Sequence, residues 1–124
     1  MFEEWSNIFH MAKSVVTIDE RVIADAVVQS VARIQSVEVP VEQEAELSTV
    51  GPGWRVWGVG VHRVAGGLNI EVELIVTLNT KSSIPSISAR VRRMIRSAIK
   101  SLTSERIRWI NLRISDVHFN LKSN

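Results

Sequence analysis

Between residues 56 and 117 the hydrophobic period of the chain changes twice, and the changes mark out strand, turn, strand, helix and strand. Val56 to Val64 is rich in β-branched residues, Ala65-Gly66-Gly67 supplies a turn, and Leu68 to Leu78 alternates nearly throughout. Alternation with period two marks a half-buried strand, whereas recurrence at i, i+3 and i+4 marks an amphipathic helix. The second pattern begins at Ile84 and runs to Leu102, and Ile107 to Val117 returns to β character.

The alternation also assigns faces. In the second strand Leu68, Ile70, Val72, Leu74, Val76 and Leu78 point one way and form the core row. Asn69, Glu71, Glu73, Ile75 and Thr77 point the other way. On the first strand Trp57, Val59 and Val61 join the core, and Gly58, Gly60 and His62 lie outside. On the third, Ile110, Leu112 and Ile114 point inward while Trp109, Asn111 and Arg113 point outward. The helix buries Ile84, Ile87, Val91, Met94, Ile95, Ala98 and Leu102. Ser82 or Ser83 caps it, and Pro85 falls in the first turn, where a missing N–H costs nothing.

Upstream, Thr17-Ile18-Asp19-Glu20 starts another helix, with either Thr17 in a capping box or Asp19 directly as the cap. It runs to about Ser36 with Ile23, Ala26, Val27, Ser30, Val31 and Ile34 on one stripe. Residues 37 to 55 are less regular. Val37, Val39 and Val41 alternate, but Pro40 restricts them to an edge strand or extended loop. Glu42, Glu44 and Glu46 follow, then the turn Gly51-Pro52-Gly53, so a mobile acidic connection is expected. Residues 2 to 12 are expected to form a short helix with Phe2, Trp5 and Phe9 near one side. Glu3 and Glu4 oppose anionic lipid, which favours docking on protein.

These elements make an α+β fold: a two-layer sandwich, α-β-β-α-β, with a three-stranded, mainly antiparallel sheet covered by two helices on one face. A right-handed crossover that sets the third strand beside the first gives the order 2-1-3 and leaves one sheet face open. The 124 residues form a single domain, with 1–15 as an N-terminal segment and 16–119 as the core. A chain of this size can build one core without metal or disulfide.

Composition adds little until charge is mapped. Residues 1–50 hold nine acids against three bases, and residues 51–124 hold twelve bases against four acids. This asymmetry predicts a basic face for an anion, or complementary surfaces that attract each other. An apolar content of 45% is high for a small monomer and points to surface covered by a partner. Without cysteine there is neither disulfide nor thiol chemistry, which fits a reducing compartment. Neither a signal peptide nor a bilayer-spanning apolar run is present, so a soluble chain is expected.

Candidate chemistry is sparse. His10, His62 and His118 do not stand at ligand spacing from one another or from an acid on a shared element. The three glutamates at 42, 44 and 46 lack the Asp/Asn spacing and turn glycine of a calcium loop. Gly58-Val59-Gly60 lies inside a strand, so it is no phosphate loop. These glycines would let another surface approach, with Trp109 lying over them from a neighbouring strand. No catalytic residue, cofactor site or metal site is expected. The candidate interaction surface is the helix arc Arg90, Arg92, Arg93, Arg96 and Lys100, together with Gly58, Gly60 and Trp109. KH-type RNA-binding domains share the compact αββαβ outline, but they clamp nucleic acid with a GxxG loop that this chain lacks.

The element order resembles the alkaline shock protein family of bacterial general stress proteins. The matching pieces are the opening Val16-Thr17-Ile18-Asp19-Glu20-Arg21-Val22-Ile23, the glycine-containing hairpin Gly58 to Thr77, the helix Ile84 to Leu102 and the closing Ile110-Asn111-Leu112-Arg113-Ile114-Ser115-Asp116-Val117. Leu78-Asn79 stands where the family usually has Tyr-Gly, and Thr103-Ser104 where it has Thr-Gly. The resemblance implies a non-enzymatic cytoplasmic protein of envelope stress, self-assembling and held at the inner membrane face by a separate anchor protein. The alternative is a basic RNA-binding module.

Overall fold

Asp19 starts the first helix, its carboxylate accepting from the Arg21 amide at 3.3 Å, so of the two candidate caps the aspartate serves. In the computed structural model, which describes residues 16–120, the elements run α1 (Glu20–Ala32), β1 (Val37–Glu38), β2 (Ser48–Gly51), β3 (Trp54–Trp57), β4 (Val59–Val64), β5 (Gly67–Leu78), α2 (Ile84–Leu102) and β6 (Ile107–Phe119). Ser83 caps α2 through the Ser86 amide at 3.3 Å. The expected N-terminal helix over residues 2 to 12 lies outside the described residues.

The α+β sandwich stands. Both helices cover one face of a sheet whose strand pairings are mostly antiparallel, with β6 the parallel exception. Leu68, Ile70, Val72, Leu74 and Val76 are all fully buried, as the alternation predicts. At about 1.5–3 kcal/mol per buried aliphatic side chain, this row is a leading source of stability. Against it pack Ile23, Val27 and Val31 of α1 and Ile87, Val91, Ile95 and Ile99 of α2. The helix stripe is thus displaced slightly from the expected one: Ile99 is buried, while Met94 is only partly so.

Strand order departs from expectation. β6 lies beside β5, not β4, and runs parallel to it, pairing Ile110, Leu112 and Ile114 with Ile70, Val72 and Leu74. β5 is therefore central, with β4 and β1 sharing its other edge. A helical crossover joins parallel neighbours readily, and the free edge of β4 is already occupied. The Thr49 hydroxyl donates to the Val59 carbonyl at 2.6 Å and accepts from the Val61 amide at 3.1 Å.

The stretch 37–55 is more ordered than a mobile connection. β1 adds to the main sheet, and β2 and β3 form a second, two-stranded sheet around the Pro52-Gly53 turn. Gly58 divides the expected first strand. Its φ of 81° turns the chain between β3 and β4, so Val56 rather than Trp57 packs against the core. Gly67 is constrained in another way, with φ of 136° and no room for a Cβ beside the Arg106 carbonyl. That carbonyl accepts from the Leu68 amide at 2.8 Å and anchors the start of β6.

Candidate interaction surface

The buried stripe of α2 fixes where its cations go. Arg93, Arg96 and Lys100, at i, i+3 and i+7, lie opposite the stripe, with Arg90 and Arg92 on its flanks. All five are exposed. The 19-residue helix carries no Asp or Glu, so nothing on α2 neutralises them. None of the five forms an ion pair among the described residues. Arg92 is partly committed, donating from Nε to the Ile110 carbonyl at 3.3 Å. Arg93, Arg96, Ser97, Lys100 and Ser101 line a shallow depression of about 420 Å³. A second depression of about 470 Å³ continues beyond the helix end, where Arg106 joins Arg96 and Lys100.

Glu105 also borders this second depression but is turned to Arg63. The Arg63 guanidinium contacts Glu105 at 2.9 Å and Glu20 at 3.0 Å, and also donates to the Ile18 carbonyl. One side chain thereby ties the start of α1, the end of β4 and the α2–β6 link. Its hydrogen bond holds the Glu105 carboxyl below the usual glutamate range, and the same bond raises Arg63. The carboxylate is spent locally and leaves the neighbouring cations uncompensated.

The three remaining candidates do not join the arc. Gly58 is buried beneath Val39 and Pro40 of its own chain, and an added Cβ would collide with Val39. Its close approach serves internal packing. Gly60 is buried too, with His62 and Glu71 as its nearest side chains. Trp109 pairs with Asn69 on β5, which puts a whole strand between it and β4. The expected cover of Gly58 and Gly60 by Trp109 is therefore not formed, because β6 took the other edge of β5.

Sequence reasoning missed Glu73. It lies on the face away from the helices, where an open surface was expected, yet it is only 1% exposed. Residues 46–47 fold over it as a strap. Glu73 Oε1 accepts from the Glu46 amide at 2.7 Å and from the Leu47 amide, while Oε2 is buried without a partner. The Glu46 side chain then reaches across to Arg113 on β6, at 2.5 Å. The outward row also holds Asn69, Glu71 and Thr77, so the one signal available was Ile75, an apolar residue in that row that is buried beside Glu73.

His62 is exposed, and His118 lies 3.3 Å from Asp116 at the far end of β6; His10 is outside the described residues. Among the described residues no three His, Cys, Asp or Glu side chains converge as metal ligands, and no helix is long and apolar enough to cross a membrane. Compared with protein-family models, curated proteins and solved structures, the chain matches none.

Proposed function

We propose that the protein is a non-enzymatic assembly module of the cytoplasm, acting in cell-envelope stress homeostasis through self-association and through an anchor protein at the inner membrane face. The observation that carries the protein-binding part is α2: five exposed cations on one helix, no acid among them, and Glu105, which borders the depression at the helix end, already engaged by Arg63. Arginine-rich surfaces of this kind suit carboxylate-bearing partners, which they bind in bidentate pairs. The envelope setting rests on the resemblance to alkaline shock proteins. It is tested by fractionating cells under envelope stress and capturing the tagged chain with its partners. Recovery at the membrane with a membrane protein bound supports the reading, and uniform cytosolic recovery without partners contradicts it.

A second reading, RNA binding, is favoured by the depression where Arg96, Lys100 and Arg106 converge, a place suited to phosphate. Filter binding at low and physiological salt separates the two. Tight RNA binding that falls steeply with salt supports nucleic acid, because phosphate contacts release counterions.

A further inference from the structure

The basic arc of α2 and the acidic stretch from Glu38 to Glu46 occupy separate surfaces of the chain. Helix α2 turns Arg93, Arg96 and Lys100 away from the sheet. On the other side, β1 pairs Glu38 with Ile75, a residue of the face that also holds Glu73, so Glu38 points away from the helices. The strap continues through Glu42 and Glu44 to Glu46, which Arg113 pins at 2.5 Å on that same far face. Glu38, Glu42 and Glu44 are exposed and form no ion pair among the described residues. Glu42 borders a depression beside α1 with Asp25, Val28 and Arg55, and none of the three carboxylates lines either depression beside the arc, so the two sets do not meet there within one chain.

Resting on the assembly reading above, we propose that the α2 arc of one copy docks on the acidic strap of a second copy, head to tail. Charge complementarity selects this occupant. The cations lie in one row of about 10 Å along the helix, from Arg93 to Lys100, at 1.5 Å per residue. Glu38 at the end of β1 and Glu42 and Glu44 on the way to the strap together offer three carboxylates within seven positions of sequence that form no ion pair among the described residues. Such a contact uses two different patches and leaves one of each unfilled at the ends. It therefore propagates into a ring or an open row instead of stopping at a dimer.

Two variants of the full chain test the pairing: an arc variant with Arg93→Gln, Arg96→Gln and Lys100→Gln, and a strap variant with Glu38→Gln, Glu42→Gln and Glu44→Gln. All six positions are exposed, and circular dichroism checks that both variants fold. Each variant alone is expected to be monomeric in sedimentation at low salt. Mixed in equal amounts, they retain one arc and one strap between them and should form a pair of twice the 13.9 kDa chain mass, going no further. A mixture that stays monomeric while wild type assembles overturns the head-to-tail contact and leaves the assembly reading intact. So does assembly of either variant at wild-type mass. Wild type that is itself monomeric overturns the assembly reading and this inference with it. Because the chain has no native cysteine, a second readout is available: Lys100→Cys and Glu44→Cys variants, mixed and oxidised, should cross-link to each other more than either does to itself. Equal or absent cross-linking counts against the contact.

Discussion

Replacing Glu73 by alanine removes the acceptor on which the strap rests, and replacing it by glutamine removes only its charge. In the wild type one carboxylate oxygen takes both the Glu46 and Leu47 amides, inside a site 1% exposed. A hydrogen bond to a charged group contributes about 1.5–3 kcal/mol. The freed amides can regain water, since Glu46 is exposed and Leu47 half-buried, so the two bonds together are expected to cost about 2–4 kcal/mol in Glu73→Ala. Glu73→Gln keeps the Oε1 acceptor and the side-chain volume. It weakens two charge-assisted bonds but also removes a buried charge whose Oε2 has no partner. These effects oppose each other, and the expected change is within about 1 kcal/mol of wild type. Urea midpoints give the stabilities, and hydrogen exchange at the Glu46 and Leu47 amides reports the strap itself. Alanine and glutamine variants of equal stability, or unchanged protection of those two amides in Glu73→Ala, would refute the latch.

Two further outcomes follow from the packing and the ion pairs. Leu74 is fully buried in the core row, so Leu74→Ala should cost about 2–5 kcal/mol, read from the denaturation midpoint; an unchanged midpoint would mean that the faces of β5 are reversed. Glu105 has its carboxyl lowered chiefly by the hydrogen bond from Arg63, so its pairing stabilises fully above the ordinary glutamate pKa of about 4.3 and is lost as pH falls through the lower folded value. The stability gap between wild type and Glu105→Gln should be about 1 kcal/mol near pH 7 and close below about pH 4; a gap that widens in acid would contradict the assignment.

The elements whose period is unmistakable were legible: β5, α2 and the inward face of β6 follow directly from the alternation and the helical stripe. What escaped was set by contacts between distant residues. In the strand order, Thr49 of β2 hydrogen-bonds along the outer edge of β4, and β6 pairs with the other side of β5. The break at Gly58 could not be separated from a strand glycine by pattern, because its positive φ answers to Val39 and Pro40 nearly twenty residues upstream. Glu73 was assigned to the correct face but to the wrong environment. Its burial comes from residues 46–47 folding over the sheet, which periodicity within β5 does not encode. The basic arc was legible for the reason α2 was: a clear apolar stripe fixes the opposite face.

The central claim is assembly through complementary charge, and the most direct measurement is the solution mass of the wild-type chain across a salt series. Sedimentation velocity at low salt should give species well above the 13.9 kDa monomer, returning towards it as salt is raised. Exposed charges are screened over about 10 Å at 0.1 M, so most of that loss is expected by a few tenths molar. A single 13.9 kDa species at high protein concentration and low salt would contradict the account.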